Sequence, residues 1–342
     1  MSSVPDAKRT RTRWATAALL ILPCAAICLV AAQQAPLTLV STAWSPFTNA
    51  PGEPRFALDL VETAFGRIGL TAQTTIVPAA QFTSSLLGPG FDGSAAAWKD
   101  PDRERVLLFS QPYLENRLVL VGRQGDDVSA RALNDLKGKR VAIVEGYSYG
   151  GSVESAGPVF VYSASEEDSL ARLLKGGVDY ALMDELVAQY IVNNYPKEAG
   201  TRLQIGSTPL VTRELFLAVR RTRPDAESII ARFNAEVRGM IADGTYHRLL
   251  HVDWIRADTN GDGVSEYVPR TNQAGPTEPQ RVYTLFSAQD RESPTQTPTK
   301  PGFYIGGNIY RDWASVPESY KSAGSEPPDP RRSTASIFKF TW

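Results

Sequence analysis

Two hydrophobic periods alternate along this chain. Pro36 to Thr42 (PLTLVST) switches between apolar and polar positions as a strand does. Phe56, Leu60, Val61, Phe65 and Ile68 then recur at helical spacing, so a helix runs from Arg55 and closes at Gly69. Thr74 to Val77 reads as a second strand, and Gln81 to Leu87 as a short helix ended by Gly88-Pro89-Gly90. The next stretch holds an apolar strand over Gly93 to Trp98, a polar turn from Lys99 to Glu104, and an apolar run from Val106 to Phe109. A Ser-Gln-Pro-Tyr turn and a third run, Arg117 to Val121, follow. Arg140 to Glu145 reads as a strand. Ser165 and the acidic turn Glu166-Glu167-Asp168 start a helix whose buried stripe is Leu170, Leu173 and Leu174. Val178 to Asp184 is a strand, Glu185 to Asn194 a helix and Leu215 to Val219 another strand. Pro224 then opens a long amphipathic helix carrying Ile230, Phe233, Val237, Met240 and Ile241, and Gly244 ends it. Strand, helix, strand is the unit of an α/β fold.

Composition adds bounds. The 342 residues suffice for two domains with real cores. A net charge of −1 leaves no basic excess to neutralise phosphates, which excludes charge-driven binding to nucleic acid. Residues 1–32 read as a secretory signal peptide: Lys8, Arg9, Arg11 and Arg13 precede an uncharged run, and Val30-Ala31-Ala32 offers a cleavage site before Gln33. An uncleaved membrane anchor is the competing reading. Both cysteines, Cys24 and Cys28, lie in this segment, so the mature chain has neither disulfide nor thiol chemistry. A periplasmic or secreted location is expected.

Several residues could carry chemistry. Arg103 and Arg105 sit in the turn after an apolar strand, where a guanidinium can grip a carboxylate at a cleft rim or simply face solvent. Gly146-Tyr147-Ser148-Tyr149-Gly150-Gly151 follows a strand and offers backbone N–H groups, as a plain turn also would. His247 and His251 have i, i+4 spacing but no third metal ligand beside them. The segment 258–266 places oxygen side chains at positions 1, 3, 5 and 9 with Gly263 at position 6. That pattern offers Asp258, Asn260, Asp262, Val264 and Glu266 to a structural calcium ion. Pro269 stands where a longer loop of this type has its last carboxylate, and a polar glycine-rich turn is the alternative.

Asp92-Gly93, Pro101-Asp102-Arg103 and Phe109-Ser110-Gln111-Pro112-Tyr113 resemble the bacterial extracellular solute-binding proteins of family 3, the receptors of ABC-type polar amino-acid importers. The resemblance runs from Leu37 to Trp254 and includes a helix, a Gly-x-x-Asp-x-Ala run and then Asp184 at the strand's end. It implies a two-lobed, periplasmic-binding-protein-like α/β fold of type II. Residues 37–122 plus 214–254 form lobe 1, 123–213 form lobe 2, and 255–342 are a small β-rich C-terminal extension. It implies that Trp44 and Phe47 place aromatic rings over the ligand, that Arg103 holds a carboxylate, that Tyr147 and Ser148 add contacts to it, and that Asp184 holds an ammonium group. Asp184 would also serve as a helix N-cap. Ala96, Ala97 and Trp98 stand where relatives often carry hydroxyls, so the cleft is expected to be more apolar, with Trp98 as part of it.

The tail beyond the candidate calcium loop is rich in Pro, Thr and Ser. Arg281 to Phe286, Phe303 to Trp313 and Ile337 to Trp342 are candidate strands in it, while 292–301 and 322–334 read as disordered. The function expected is a monomeric receptor that closes on an amino acid or related carboxylate and delivers it to ABC importer subunits. The alternatives are an enzyme on the same fold, resembling cyclohexadienyl dehydratases with Glu115 or Glu145 as the working carboxylate, and a sensory or protein-binding module.

Overall fold

The computed structural model describes residues 35–259, 264–270, 278–279, 282–285 and 302–321. The expected secretory segment, Asn260 and Asp262 of the candidate calcium loop, the stretches 292–301 and 322–334, and the run from Ile337 to Trp342 lie outside them. No helix among the described residues is long and apolar enough to cross a membrane.

Elements β1 (Leu37–Thr42), α1 (Phe56–Arg67), β2 (Ala72–Val77), α2 (Ala79–Leu87) and β3 (Gly93–Ala97) follow in chain order. β1 pairs parallel with both β2 and β3. The helical stripe read from the sequence is the buried face of α1, which includes Phe56, Leu60, Val61, Ala64 and Phe65. All five residues of β3 are buried, as expected of a central strand covered on both faces.

The polar turn expected at Lys99 to Glu104 is in fact largely a short helix, α3 (Pro101–Val106). The Asp100 carboxylate accepts the Arg103 N–H at 2.8 Å as its N-cap, and Pro101 occupies the first turn, where its missing N–H costs nothing. β4 (Leu107–Phe109) and β5 (Leu114–Arg123) come next. The middle of the chain builds β6 (Arg140–Val144), α4 (Gly151–Glu154), β7 (Val159–Ser163), α5 (Glu166–Leu174), β8 (Tyr180–Asp184) and α6 (Glu185–Asn194). β6 pairs parallel with β7 and β8.

The strand expected over Leu215 to Val219 is the end of a much longer one, β9 (Leu203–Arg220), of 18 residues. Its last residues pair antiparallel with β3 and β4, and the rest pairs with β5 from Leu215 opposite Leu114 to Leu203 opposite Arg123. The resulting order is β2-β1-β3-β9-β5-β8-β6-β7, with β4 also on β9. One strand group, β1 to β4, thus lies on one side of the β5–β9 pair and another, β6 to β8, on the other. α7 (Ala226–Ala242) buries Ile229, Phe233, Val237, Met240 and Ile241, with Phe233 against Phe65 of α1 and Tyr113.

After α8 (Thr245–Leu250), β10 (Trp254–Ala257) pairs antiparallel with β11 (Glu266–Pro269) and parallel with β12 (Tyr283–Leu285). A hairpin, β13 (Phe303–Ile305) and β14 (Asn308–Tyr310), completes the β-rich extension. Trp254 packs with Phe303, Ile305 and Val316 and makes an edge contact with Trp313. The extension also reaches the large sheet: the Tyr283 ring lies 4.7 Å from the Arg117 guanidinium of β5. His247 is buried, with its Nε2 3.1 Å from the Val268 carbonyl.

Candidate functional site

Asp92-Gly93, which carries part of the resemblance, is structural. The Asp92 carboxylate accepts from the Thr38 N–H at 2.8 Å and the Thr38 hydroxyl at 3.0 Å, and from Arg223 at 3.0 Å. Gly93 is required because a Cβ there would lie 1.9 Å from the Ala218 carbonyl oxygen of β9.

The C-terminal end of β3 leads directly to the site. Ser41, Thr42, Trp44, Thr48, Phe82, Ala96, Trp98, Arg103, Tyr147, Ser148 and Leu215 line one cavity. Its volume is about 30 Å³, on a scale where roughly 10–15 Å³ admits one water. Aromatic rings take up the surrounding space. Trp44 meets Trp98 edge-on at 5.6 Å and Tyr147 at 5.9 Å, while Trp98 meets Tyr147 at 5.7 Å and Tyr149 at 5.6 Å. Phe47 does not line the cavity; it stacks behind Trp44 at 4.3 Å and holds that ring in place. Among the described residues the buried indole N–H of Trp44, a cavity-lining residue, has no hydrogen-bond partner.

Arg103 is only 2% exposed, unlike Arg105, which is 77% exposed and paired with Asp102. Arg103 Nη1 donates to the Trp98 carbonyl at 2.8 Å and Nη2 to the Thr83 hydroxyl at 2.9 Å. Its Nε lies 3.1 Å from Asp100 Oδ2. Burial pulls the Arg103 pKa below its usual value; Asp100 opposes this and Arg213 adds to it. Arg213, from β9, donates to the Lys99 carbonyl at 2.6 Å and lies 5.8 Å from the Trp98 ring.

Across the cavity the loop after β6 supplies Tyr147 and Ser148. The Ser148 hydroxyl donates to Asp100 Oδ2. Thr83 of α2 donates to the Gly146 carbonyl at 3.1 Å. Gly146 has φ +83°, and a Cβ there would meet the Ala79 carbonyl oxygen at 2.7 Å, so only glycine permits this approach.

Asp184 lies outside the cavity lining and is linked to it by a relay. Trp98 Nε1 donates to Asn116 Oδ1 at 2.8 Å, and Asn116 Nδ2 donates to Asp184 Oδ2 at 3.1 Å. Asp184 also caps α6, accepting the Leu186 N–H at 2.7 Å. Burial pushes its carboxyl up to about 7, against the lowering effect of the Leu186 and Asn116 hydrogen bonds. Burial likewise drives Glu166 well above its ordinary value, with Glu167 and Asp184 adding to the shift.

Trp44, Trp98, Arg103, Tyr147 and Ser148 therefore meet at one cavity, Phe47 supports it, and Asp184 stands one relay away. Sequence reasoning missed Thr83, Asp100, Asn116 and Arg213. Asp100 was findable, since an Asp before Pro ahead of a charged turn signals an N-cap. Of the carboxylates considered for acid–base work, Glu145 is exposed and Glu115 lies 3.8 Å from Arg117; neither lines the cavity. In the candidate calcium loop, Asp258 is buried, Val264 is exposed and Glu266 accepts from Thr259 Oγ1 at 3.0 Å.

The family model for bacterial extracellular solute-binding proteins, family 3, matches residues 39–256. The ABC transporter arginine-binding protein 1 of Escherichia coli (strain K12) is 24% identical over 151 residues, which are 44% of this chain and 60% of that protein. The chain thus spans about 60% of the length of such curated relatives. Among solved structures, a mutant of ArgBP from T. maritima aligns with a TM-score of 0.53 and 25% identity, covering 63% of this chain and 93% of that one. An ancestral arginine-binding protein bound to arginine aligns with a TM-score of 0.55 at 23% identity, covering 64% and 98%.

Proposed function

We propose that this chain, which belongs to the bacterial extracellular solute-binding proteins of family 3, is a periplasmic receptor that binds a small amino acid or related carboxylate and delivers it to an ABC-type importer. One observation carries the reading. A cation held almost out of water, Arg103, faces a cavity walled by aromatic rings and hydroxyls drawn from both strand groups. A buried guanidinium beside an orphan indole N–H suits an anionic acceptor group. Asp184, one relay away, is the candidate partner for an ammonium group. A solute held by both groups favours closure, because an open cleft can satisfy only one end. The arginine-binding relatives make basic amino acids the first solutes to test.

The experiment is a thermal-shift panel of amino acids and small carboxylates, followed by calorimetry on the hit. A solute at about 100 times its Kd stabilises the protein by about 2.7 kcal/mol. Arg103→Ala is expected to abolish binding while the far-ultraviolet spectrum stays unchanged; unaltered affinity would reject the assignment.

We further propose that Asp258, Asn260, Asp262, Val264 and Glu266 hold a structural calcium ion. Chelation is then expected to lower the Tm of the wild type and to leave an Asp258→Ala, Asp262→Ala double variant unchanged. A Tm indifferent to chelator in both would place no ion there.

A further inference from the structure

The two groups expected to hold a solute's carboxylate already hold one. Arg103 Nε lies 3.1 Å from Asp100 Oδ2, and the Ser148 hydroxyl donates to the same oxygen. Arg103 and Asp100 come from the β3–α3 segment, whereas Ser148 comes from the loop after β6, across the cavity. The Asp100 carboxylate therefore bridges the two strand groups as a bound anion would. Its other oxygen is tied to its own helix by the Arg103 N–H at 2.8 Å, which fixes the side chain in this orientation. Neighbouring contacts close the same seam: Thr83 to Gly146, and Trp44 and Trp98 against Tyr147 and Tyr149.

We propose that Asp100 is a built-in occupant of the anion subsite. It latches the β6–α4 loop onto the β3–α3 segment when no solute is bound, and a solute carboxylate enters only by displacing it. This rests on the reading of Arg103 and Ser148 given under Proposed function. An exchange of one carboxylate for another conserves the charge beside Arg103, so the cost of entry is the latch itself rather than an unpaired buried cation. The latch weakens the binding of every carboxylate by the same factor. Selectivity among solutes is thereby left to the Trp44, Trp98 and Tyr147 rings.

The test uses the full chain and two variants. Asp100→Ser keeps an N-cap of similar quality but is too short to reach Ser148; Asp100→Asn keeps shape and cap but loses the charge. Amide hydrogen exchange is read in the solute-free proteins. The latch predicts that both variants exchange roughly tenfold or more faster across 146–150, on the far side of the cavity, while 37–42 stays as in the wild type. Faster exchange confined to 101–106 would reduce Asp100 to a helix cap and overturn the proposal. Calorimetry with L-arginine and with L-glutamate forms the second arm. Whichever binds is expected to bind Asp100→Ser roughly tenfold more tightly than wild type; equal or weaker binding overturns the displacement step. If neither binds any of the three proteins, the solute that hits in the thermal-shift panel takes their place; a panel without a hit rejects the amino-acid reading, and the exchange data then decide the latch.

Discussion

Asp184 shows how one buried carboxyl ties stability to pH. Its pKa rises from 3.8 to about 7 because burial penalises the charged form. The folded protein then binds more protons than the unfolded chain between these values, so stability falls as pH rises through that window and is level above it. At about 1.4 kcal/mol per unit, the effect is about 4 kcal/mol. Asp184→Asn keeps the cap on α6 and removes the titration. Its Tm relative to wild type is expected to climb from pH 4 to pH 7 and then hold; a constant difference would show that Asp184 is charged throughout. A solute ammonium beside Asp184 would pull the carboxyl back down, so binding near neutral pH should release a proton. Calorimetry in buffers of different ionisation enthalpy reads that proton directly.

At the scale of elements, strands and helices with clear periodicity were legible. α1, α5, α6 and α7 stand where their apolar spacing and caps put them. The misses share a cause. The first part of β9 carries Gln204, Ser207, Thr208, Thr212, Arg213 and Glu214, so no apolar alternation marks it. Its strand character comes from pairing with β5, a long-range partner invisible to local pattern. Arg213 was missed with it. Arg103 and Ser148 were reached only through their resemblance to a family, since spacing alone favoured a solvated charge and a plain turn. Asn116, central to the relay from Trp98 to Asp184, gives no local signal at all. Gly93 was legible as part of a motif but not for its reason, which is the approach of the Ala218 carbonyl. Gly93→Ala would put a Cβ 1.9 Å from that oxygen, so β3 must leave β9. A loss of roughly 3 kcal/mol or more is expected in urea unfolding; a loss below 1 kcal/mol, on the order of a surface change, would mean that the strands shift without cost.

Across the whole molecule, the C-terminal extension is joined to the sheet rather than hung beside it. Tyr283 of β12 is buried over Arg117 of β5, the strand that pairs with β9 between the two groups. Tyr283→Ala is expected to cost about 2–3 kcal/mol from ring burial and the lost cation–π contact. If the extension steadies the pairing of β5, hydrogen exchange along Leu114–Arg123 should quicken as well. Quickened exchange in the extension alone would make it an independent appendage.

The shared strand β9 also sets an order of events during synthesis. Gly93 waits for Val219, its partner about 125 residues later, before β3 has a neighbour on that edge. At ~5–20 residues per second the wait is roughly 6–25 seconds. Throughout it, a strand whose five residues all belong in the interior presents an open edge of the kind that recruits other chains. A chain ending before β9 would keep that edge for good and is expected to aggregate. β9 supplies the missing neighbour of β3 and of β5 alike, so a single late strand closes the open edge of each group.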